Sequence, residues 1–233
     1  MLSLKGIHKS YGVVRAVRDA TFQAPRSQIT AVVGPNASGK TTLMKIVLGL
    51  VRPDGGEVVW QDRPLHSRPG FQRLLGYMPQ SPTFPANLTP REVVQIVAEL
   101  RQENLRSFEE LAEEFRLTPF WRRPIGALSL GTRQKLSAIL ALGVRAEILV
   151  LDEPTVNFDP AAAVVFRRRS AVRKEEGATV LVVSHLIQEV ESVADRVVFV
   201  DEGQIRFSGT RTELRERTGA ASLEEAVLSF FDC

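Results

Sequence analysis

The segment that most constrains this chain of 233 residues is a glycine-rich run, GPNASGKT, at positions 34–41. It matches the pattern G-x-x-x-x-G-K-[ST] at every position, and it lies between an aliphatic run at 29–33 and a predicted helix over 39–50. The backbone N–H groups of such a loop, together with the N-terminus of the following helix, form a concave site for phosphate oxygens. The sequence therefore predicts a phosphate-binding loop between a buried strand and a helix.

The residue types in this loop fit the binding of a nucleotide together with a divalent cation. Lys40 adds a positive charge for the β- and γ-phosphates, and the hydroxyl of Thr41 can bind Mg²⁺. Ala37 occupies a position where many such loops have glycine; if its φ angle is positive, we expect a cost of about 1 kcal/mol. The predicted nucleotide-binding residues of the loop are Gly34, Pro35, Asn36, Ala37, Ser38, Gly39, Lys40, Thr41 and Thr42.

Short β-rich runs alternate with longer amphipathic stretches, a pattern typical of an α/β protein with a parallel sheet. The continuous aliphatic runs at 148–151 and 179–183 favour strands that are buried on both faces. We predict a hairpin from 196–200 and 204–208. The predicted antiparallel strands beside the central sheet are 2–7, 20–23 and 57–60.

The middle of the chain has little strand character. It predicts helices at 89–101 and 107–115, the first with Thr89 as N-cap and Pro90 as its first residue. We therefore predict a single domain, 1–233, with an α/β P-loop core, an N-terminal antiparallel β subdomain and an inserted helical subdomain at about 84–144. An amphipathic helix is predicted at about 222–231.

Two carboxylates follow the aliphatic run at 148–151. A parallel strand beside the phosphate loop would place Asp152 near a bound Mg²⁺ and Glu153 near a water in line with the γ-phosphate. Paired acidic residues at the end of a strand are also common in ordinary loops. Their occurrence together with the phosphate loop favours the functional interpretation.

With these motifs in place, the chain resembles the ATP-binding subunits of ABC transporters over essentially its whole length. The segment LSLGTRQK at 128–135 resembles the family's signature, 21 residues before Asp152 if counted from Gly131. The segment 155–159 resembles the D-loop, with Asp159 in the matching place. Gln80 resembles the Q-loop glutamine, His185 the switch histidine, and Tyr11 the aromatic residue that stacks on adenine.

The resemblance implies an ATP- and Mg²⁺-dependent ATPase with the ABC ATPase fold. It implies Glu153, His185 and Gln80 as catalytic residues, Tyr11 as an adenine contact, and Thr41, Gln80 and Asp152 as groups around Mg²⁺. Ser129 and Gly131 would act in trans, on the ATP of a second and identical subunit. The implied partners are that subunit and a membrane-spanning permease, with no nucleic acid.

Three positions depart from the family pattern. Leu130 replaces the first glycine of the signature, Thr132 stands where glutamine is usual, and Phe158 replaces a small aliphatic residue of the D-loop. We expect hydrolysis to survive these changes. A nucleotide-binding module with impaired hydrolysis is the alternative that Leu130 raises, whereas Glu153 and His185 argue against it.

Several of these residues also have ordinary structural interpretations. Tyr11 could be an edge-strand aromatic, Gln80 a turn residue and His185 a polar cap of a strand. We interpret His8 and His66 as surface residues. For the basic run, a solvent-exposed helix face is the favoured interpretation, and its residues are Arg167, Arg168, Arg169, Arg173 and Lys174.

Composition and termini bear on location. The formal charge of +3 is a small surplus of 30 basic over 27 acidic residues, and it does not indicate nucleic acid by itself. No run is long and apolar enough to span a membrane, the sequence MLSLKGIHKS does not resemble a secretory signal, and the single cysteine is Cys233. We expect a cytoplasmic protein that associates with the inner face of the membrane through its permease.

Two short segments suggest a subgroup. Residues 76–89 and 131–135 are similar to NosF-type ATPases, which serve copper-site assembly of nitrous oxide reductase, and more broadly to ATPases of ABC-2 exporters. Phe84, Pro85 and Leu88 are candidate contacts with the permease, or else ordinary packing residues. A soluble ABC ATPase that acts on DNA or ribosomes is the other alternative, but a short insert and one cassette per chain do not favour it.

Overall fold

The computed structural model describes residues 1–185, 187–220, 222, 225, 226 and 229. An N-terminal antiparallel sheet has the strand order β2-β1-β4-β5, and a central sheet has the order β10-β9-β3-β8-β7-β6. The strands are β1 (Leu2–Tyr11), β2 (Val14–Ala24), β3 (Gln28–Val33), β4 (Gly55–Trp60), β5 (Arg63–Pro64), β6 (Leu75–Met78), β7 (Ile148–Asp152), β8 (Thr179–Val183), β9 (Arg196–Asp201) and β10 (Gln204–Thr210).

The central sheet confirms the predicted α/β class. Strands β3, β6, β7, β8 and β9 run parallel, and β10 pairs antiparallel with β9 as the predicted hairpin. One detail of the prediction is wrong, because β7 is not beside the strand of the phosphate loop: β8 lies between β3 and β7. Strand β6 was not predicted, since its run is short and interrupted by Gly76, whose missing side chain leaves room for Leu149.

The helices pack against the central sheet, and those predicted at 89–101 and 107–115 are present with slightly different bounds. They are α1 (Lys40–Val47), α2 (Pro90–Arg101), α3 (Leu105–Glu114), α4 (Leu130–Gly143), α5 (Pro160–Glu175), α6 (Ile187–Val193) and α7 (Arg211–Thr218). Thr89 caps α2 in a capping box with Glu92, and Pro90 is its first residue, as predicted. Of the predicted helix at 222–231, only residues 222, 225, 226 and 229 are described, and the N–H groups of Ala226 and Ser229 donate to the carbonyl oxygens four residues earlier, at 3.1 and 3.0 Å. Within the described part of the chain, none of the helices has the length and apolar character of a transmembrane segment.

The basic run on α5 is not a simple solvent-exposed face, so that interpretation is wrong. The guanidinium groups of Arg168 and Arg169 both pair with Glu114 at the end of α3. Arg173 donates to the carbonyl oxygens of Val144 and Ala146, 3.1 and 3.0 Å away. These contacts join α5 to the predicted insert, because buried backbone carbonyls and carboxylates need donors.

The other end of the run, and one histidine, also differ from expectation. Lys174 pairs with Asp195 at 3.3 Å. His66 is half-buried rather than a free surface residue: its Nε2 lies 3.2 Å from the carbonyl oxygen of Val47, and its ring packs edge-on against Phe71 at 5.0 Å. His8 is exposed, as expected.

A large hydrophobic cluster joins the helices α2, α3, α4 and α5 to one face of the central sheet. Phe108 on α3 is fully buried in it and packs against Gly143 at the end of α4. A Cβ atom at Gly143 would lie 2.5 Å from the Phe108 ring, so the ring fills the space beside the glycine. This contact fixes α3 against α4, the helix that carries the signature segment.

We predict that Phe108→Ala lowers the free energy of unfolding by about 3–5 kcal/mol, because it removes a buried ring and leaves a cavity. Urea denaturation measures the change. Glu109→Ala, an exposed neighbour on the same helix, is the matched control and should change stability by less than about 0.5 kcal/mol. Equal effects of the two substitutions would contradict the packing described for Phe108.

Candidate functional site

The phosphate loop joins the end of β3 to the start of α1, and two glycines make its path possible. Gly34 has φ 153°, and a Cβ there would lie 2.0 Å from the carbonyl oxygen of Val200. Gly39 has φ 105°, and its Cβ would lie 2.4 Å from the carbonyl oxygen of Ala16. No side chain fits at either position, so both glycines of the motif are required by close backbone packing.

Ala37 adopts the conformation considered in the sequence analysis. Its φ angle is 62°, which lies in the left-handed region and costs an alanine about 1 kcal/mol relative to glycine. The loop accepts this strain because its neighbours are fixed by hydrogen bonds, including one from the Ser38 N–H to the Pro35 carbonyl oxygen at 3.3 Å. The local strain therefore belongs to the shape of the phosphate-binding loop.

Lys40 lies within the loop rather than in solvent. Its side chain is buried, and Nζ donates to the carbonyl oxygens of Gly34 at 2.8 Å and Pro35 at 2.7 Å. Burial lowers the pKa of the Lys40 ammonium, and the nearby carboxylates of Glu153 and Asp152 partly oppose that change. The ammonium is thus held at the concave side of the loop, where phosphate would bind.

The two predicted acidic residues lie at the carboxyl end of β7, facing Lys40. Both side chains are buried, Asp152 at 5% exposure and Glu153 at 6%. Burial, followed by the neighbouring Glu153 carboxylate, raises the pKa of Asp152 to about 6, while Lys40 and Lys45 act in the opposite direction. A buried carboxylate of this kind suits a cation that would replace its lost hydration.

His185 and Glu153 form a direct contact across the ends of β7 and β8. The Nδ1 atom of His185 lies 2.7 Å from Glu153 Oε1, and the same oxygen accepts the His185 backbone N–H at 3.1 Å. Glu153 has φ 46°, a strained angle for this residue type, and its backbone N–H donates to the Val183 carbonyl oxygen at 2.9 Å. Its Oε2 atom is buried and has no hydrogen-bond partner among the described residues.

These groups share one cavity of about 320 Å³. Gln80, two residues after the end of β6, also reaches it. The cavity is lined by Ala16, Asn36, Ala37, Ser38, Gly39, Lys40, Thr41, Thr42, Gln80, Asp152, Glu153, Val183 and His185. The structure therefore brings together the loop, the acid pair, the glutamine and the histidine that were predicted from separate parts of the sequence.

The cavity also includes two residues that sequence reasoning missed. Ala16 belongs to the N-terminal hairpin, which is formed by β1 and β2, and Val183 ends β8. Neither has a functional group in its side chain. The order of motifs alone carries no signal for such residues, although Val183 could have been inferred from its place just before Ser184 and His185.

The residues around the cavity fit ATP with Mg²⁺. Thr41, Thr42 and Asp152 offer hydroxyl and carboxylate oxygens, the ligands that Mg²⁺ prefers alongside phosphate oxygens. Ser38 Oγ and Glu153 Oε2 are buried polar atoms without a hydrogen-bond partner among the described residues. Buried polar atoms of this kind are normally satisfied, and a bound phosphate with its water molecules would supply partners.

Tyr11 lies apart from the cavity lining. It ends β1 at the tip of the hairpin, its side chain is 49% exposed, and the Lys9 ammonium lies 5.6 Å from the ring centroid. The hairpin nonetheless reaches the phosphate loop through Ala16. An exposed ring on the element that borders the loop is placed where a base could stack on it, so its adenine contact stays a prediction.

The signature residues start α4 and also lie outside the cavity lining. Ser129 is the N-cap: its Oγ accepts the Thr132 backbone N–H at 3.2 Å and lies 2.8 Å from the Thr132 hydroxyl oxygen. Gly131 packs so closely on the D-loop that a Cβ would lie 2.7 Å from the Asn157 carbonyl oxygen. Leu130 is 46% exposed. The unusual Thr132 thus binds the N-cap serine, and Leu130 does not disturb the packing of Gly131.

Asp159 has a local role that the sequence analysis did not predict. It is the N-cap of α5, accepting the Ala162 N–H at 2.8 Å, and it pairs with Lys135 of α4. The hydrogen bond from Lys135, and then those from the helix backbone, lower the pKa of Asp159. The third departure, Phe158, packs its ring against Phe115 and Phe166, each at 5.8 Å, so it joins the D-loop to the predicted insert.

Comparison with known proteins agrees with this arrangement. The family model described as "ABC transporter" matches residues 17–156. The lantibiotic transport ATP-binding protein SrtF of Streptococcus pyogenes is 30% identical over 225 residues, which cover 97% of this chain and 95% of SrtF. The match therefore extends over almost the full length of both proteins.

Solved structures agree as well. The ATP-binding subunit of an ABC transporter superposes with a TM-score of 0.92 at 27% identity, covering 98% of each chain. A bacterial ABC transporter cassette described as dimeric gives a TM-score of 0.82 at 21% identity, covering 90% of this chain and 98% of its own. The second match supports the fold alone.

The raised pKa of Asp152 predicts a pH dependence of stability in the nucleotide-free protein. Between pH 3.8 and about 6 the folded chain retains a proton that the unfolded chain has released, so stability falls as pH rises through this window. Asp152→Asn has no carboxyl group to titrate at this position, so it avoids this fall in stability. Relative to wild type, the variant should gain about 3 kcal/mol between pH 3.5 and pH 7.

Chemical denaturation at each pH measures this difference. Asp54→Asn is the matched control: its carboxylate is exposed, its pKa is lowered by Lys9, and its removal should not stabilise the protein at pH 7. If the free energy of unfolding had the same pH dependence in wild type and Asp152→Asn, burial would not raise the pKa of Asp152.

Proposed function

This chain is an ATPase of the ABC transporter family, and we propose that it powers a separate membrane permease by closing with ATP onto a second, identical subunit. One observation supports this proposal above others. The cavity contains the phosphate loop, both acidic residues, Gln80 and His185, whereas Ser129 and Gly131 are absent from its lining among the described residues. We therefore propose that the signature segment of a second chain completes this site.

The proposed dimer places each nucleotide between two subunits. Ser129 and Gly131 lie at the N-terminus of α4, where unpaired backbone N–H groups and the helix dipole favour a negative charge. The γ-phosphate of ATP held in the partner's loop is the group that such a helix end would bind. ATP thereby adds contacts that only the closed dimer has, and a ligand that binds one state better shifts the population toward it.

Hydrolysis would proceed by in-line attack of water on the γ-phosphorus. The water oxygen forms the new bond to phosphorus, the bond to the β,γ-bridging oxygen breaks, and the proton released by the water passes to Glu153. Mg²⁺, when bound, neutralises charge on the phosphate oxygens. The Lys40 ammonium, which hydrogen bonds hold on the loop, would stabilise the same charge.

The contact between His185 and Glu153 gives the base its orientation. Glu153 Oε1 accepts from the His185 backbone and lies against the ring, which leaves Oε2 directed away from that contact and without a partner. We propose that Glu153 Oε2 accepts a hydrogen bond from the attacking water. Gln80, two residues after the end of β6, lines the same cavity, and its contact with phosphate would change the position of the adjoining segment 81–88.

The permease contact is proposed for this adjoining segment. Phe84 and Leu88 pack against the hydrophobic cluster of the helices, as their structural interpretation required, whereas Pro85 is exposed. The exposed residues 85–87 therefore offer the surface, and Phe84 and Leu88 fix its position. A permease segment bound there would bring the protein to the inner face of the membrane.

We propose an exporter-type subunit, because segments 76–89 and 131–135 are similar to ATPases of ABC-2 exporters. SrtF is named for lantibiotic transport, and the NosF-like copper role is carried by the residues of 76–89 and 131–135 alone. An ATPase assay of the purified protein separates this function from a nucleotide-binding module that does not hydrolyse.

We predict that Glu153→Gln retains ATP binding, slows hydrolysis at least 100-fold and accumulates an ATP-bound dimer. Glutamine keeps the shape and can still accept from His185, but it lacks the base, and it removes a negative charge beside Asp152 and the γ-phosphate. Size-exclusion chromatography with light scattering, with ATP and Mg²⁺ present, measures the mass.

Glu99→Gln, an exposed glutamate on α2, is the matched control and should hydrolyse ATP at the wild-type rate. The dimer should require ATP and disappear in its absence. A Glu153→Gln protein that binds ATP but stays monomeric well above tens of micromolar would contradict dimer closure.

A further inference from the structure

Lys135 stands out among the charged residues that the proposed function does not use. It lies on α4, four residues after Gly131 and therefore on the same helix face. Its side chain is only 16% exposed, and its Nζ lies 2.6 Å from Oδ2 of Asp159, the N-cap residue of α5. A lysine that is largely removed from water at a single carboxylate is a specific contact rather than a general surface charge.

The partner of Lys135 is itself in a fixed position. Asp159 uses its other oxygen, Oδ1, to cap α5 by accepting the Ala162 N–H at 2.8 Å. The two carboxylate oxygens thus join the start of α5 to the middle of α4. Asp159 is six residues after Glu153, so this ion pair connects the signature helix to the segment that begins at the proposed base.

A second contact links the same two segments on the same helix face. Gly131 packs against the Asn157 carbonyl oxygen closely enough to exclude a Cβ atom. The turn that carries Asn157 is closed by a hydrogen bond from the Phe158 N–H to the Thr155 carbonyl oxygen at 2.9 Å. Steric contact at Gly131 and the ion pair at Lys135 therefore hold the D-loop against α4 at two points one helical turn apart.

We propose that Lys135 is a positioning residue, which acts through Asp159 to hold the signature segment and the loop from Glu153 to Asp159 as one unit. This inference rests on the proposed function. When the signature segment binds the partner's ATP, the ion pair would move the segment that follows the subunit's own Glu153. Lys135 itself does not line the nucleotide cavity. It sets the relative position of two groups that serve different ATP molecules.

The consequence is a separation of kinetic effects. Lys135→Met keeps the aliphatic stem and removes the ion pair, so kcat for ATP hydrolysis should fall about tenfold as the D-loop leaves its position. The KM for ATP should stay within about twofold, because the contacts in the cavity are unchanged. Lys135→Arg can still donate to Asp159 and should restore kcat to within about twofold of wild type.

Asp159→Asn provides the second variant, since asparagine caps a helix as well as aspartate but lacks the charge. It should lower kcat like Lys135→Met, and the double variant should be no slower than either single one, because both remove the same contact. Arg106→Met is the matched control. It breaks the exposed pair with Glu110 on α3 and should leave kcat unchanged.

Amide hydrogen exchange of the nucleotide-free protein gives a measurement that does not depend on hydrolysis. Peptides covering 155–162 should exchange faster in Lys135→Met than in wild type or Arg106→Met, at similar melting temperatures. Wild-type kcat and wild-type exchange in Lys135→Met would overturn the inference, as would additive losses in the double variant. Those results leave the proposed function intact, which instead fails if the wild-type protein neither hydrolyses ATP nor dimerises with it.

Discussion

Close approach of three backbone segments at the carboxyl edge of the central sheet is the constraint on which the site depends. The phosphate loop, the segment 16–18 of β2 and the turn between β9 and β10 meet there. The Gly203 N–H donates to the Ser38 carbonyl oxygen at 2.9 Å, and the Arg18 N–H donates to the Gly203 carbonyl oxygen at 2.7 Å. Glycines at the contact points allow this packing, and the packing in turn holds the loop open as a site for phosphate.

The charges at this edge follow from the same geometry. Parallel strands deliver Asp152, Glu153 and His185 to one edge, facing Lys40, because the carboxyl ends of such strands lie together. Burial makes each charge depend on its neighbours: the Lys40 ammonium satisfies loop carbonyls, and Glu153 is held by His185. Hydrogen bonds within the chain thus orient both charged groups, and fixed charges are what electrostatic stabilisation of a transition state requires.

Much of this could be predicted from the sequence, because the motifs are local and their order is specific. The strands that precede the phosphate loop, the acid pair and His185 were recognised from aliphatic runs, and the structure brings the three groups to one cavity. Strand β6 was missed because four residues with an internal glycine carry little periodic signal. The position of β8 between β3 and β7 could not be deduced, since strand order depends on packing across the sheet.

The contacts made by α5 and by the D-loop could not be predicted from the sequence pattern either. A basic run has the same appearance whether it is solvated or paired with a distant carboxylate such as Glu114, 55 residues from Arg169. Likewise Phe158 departed from the family pattern for a reason that only contacts reveal, its packing against Phe115 and Phe166. Sequence carries the local chemistry, whereas these contacts depend on the fold.

Each ATP site of the proposed dimer is built from two chains, and one mixing experiment tests this directly. Lys40→Ala disables phosphate binding and Ser129→Arg blocks the signature, so each variant alone should be nearly inactive. In a mixed dimer, one site pairs an intact Lys40 with an intact Ser129, and ATPase activity should return to as much as about half of the wild-type rate per mixed dimer, less if closure needs both nucleotides. No recovery, with mixed dimers demonstrated by differential tags, would contradict a site shared between subunits.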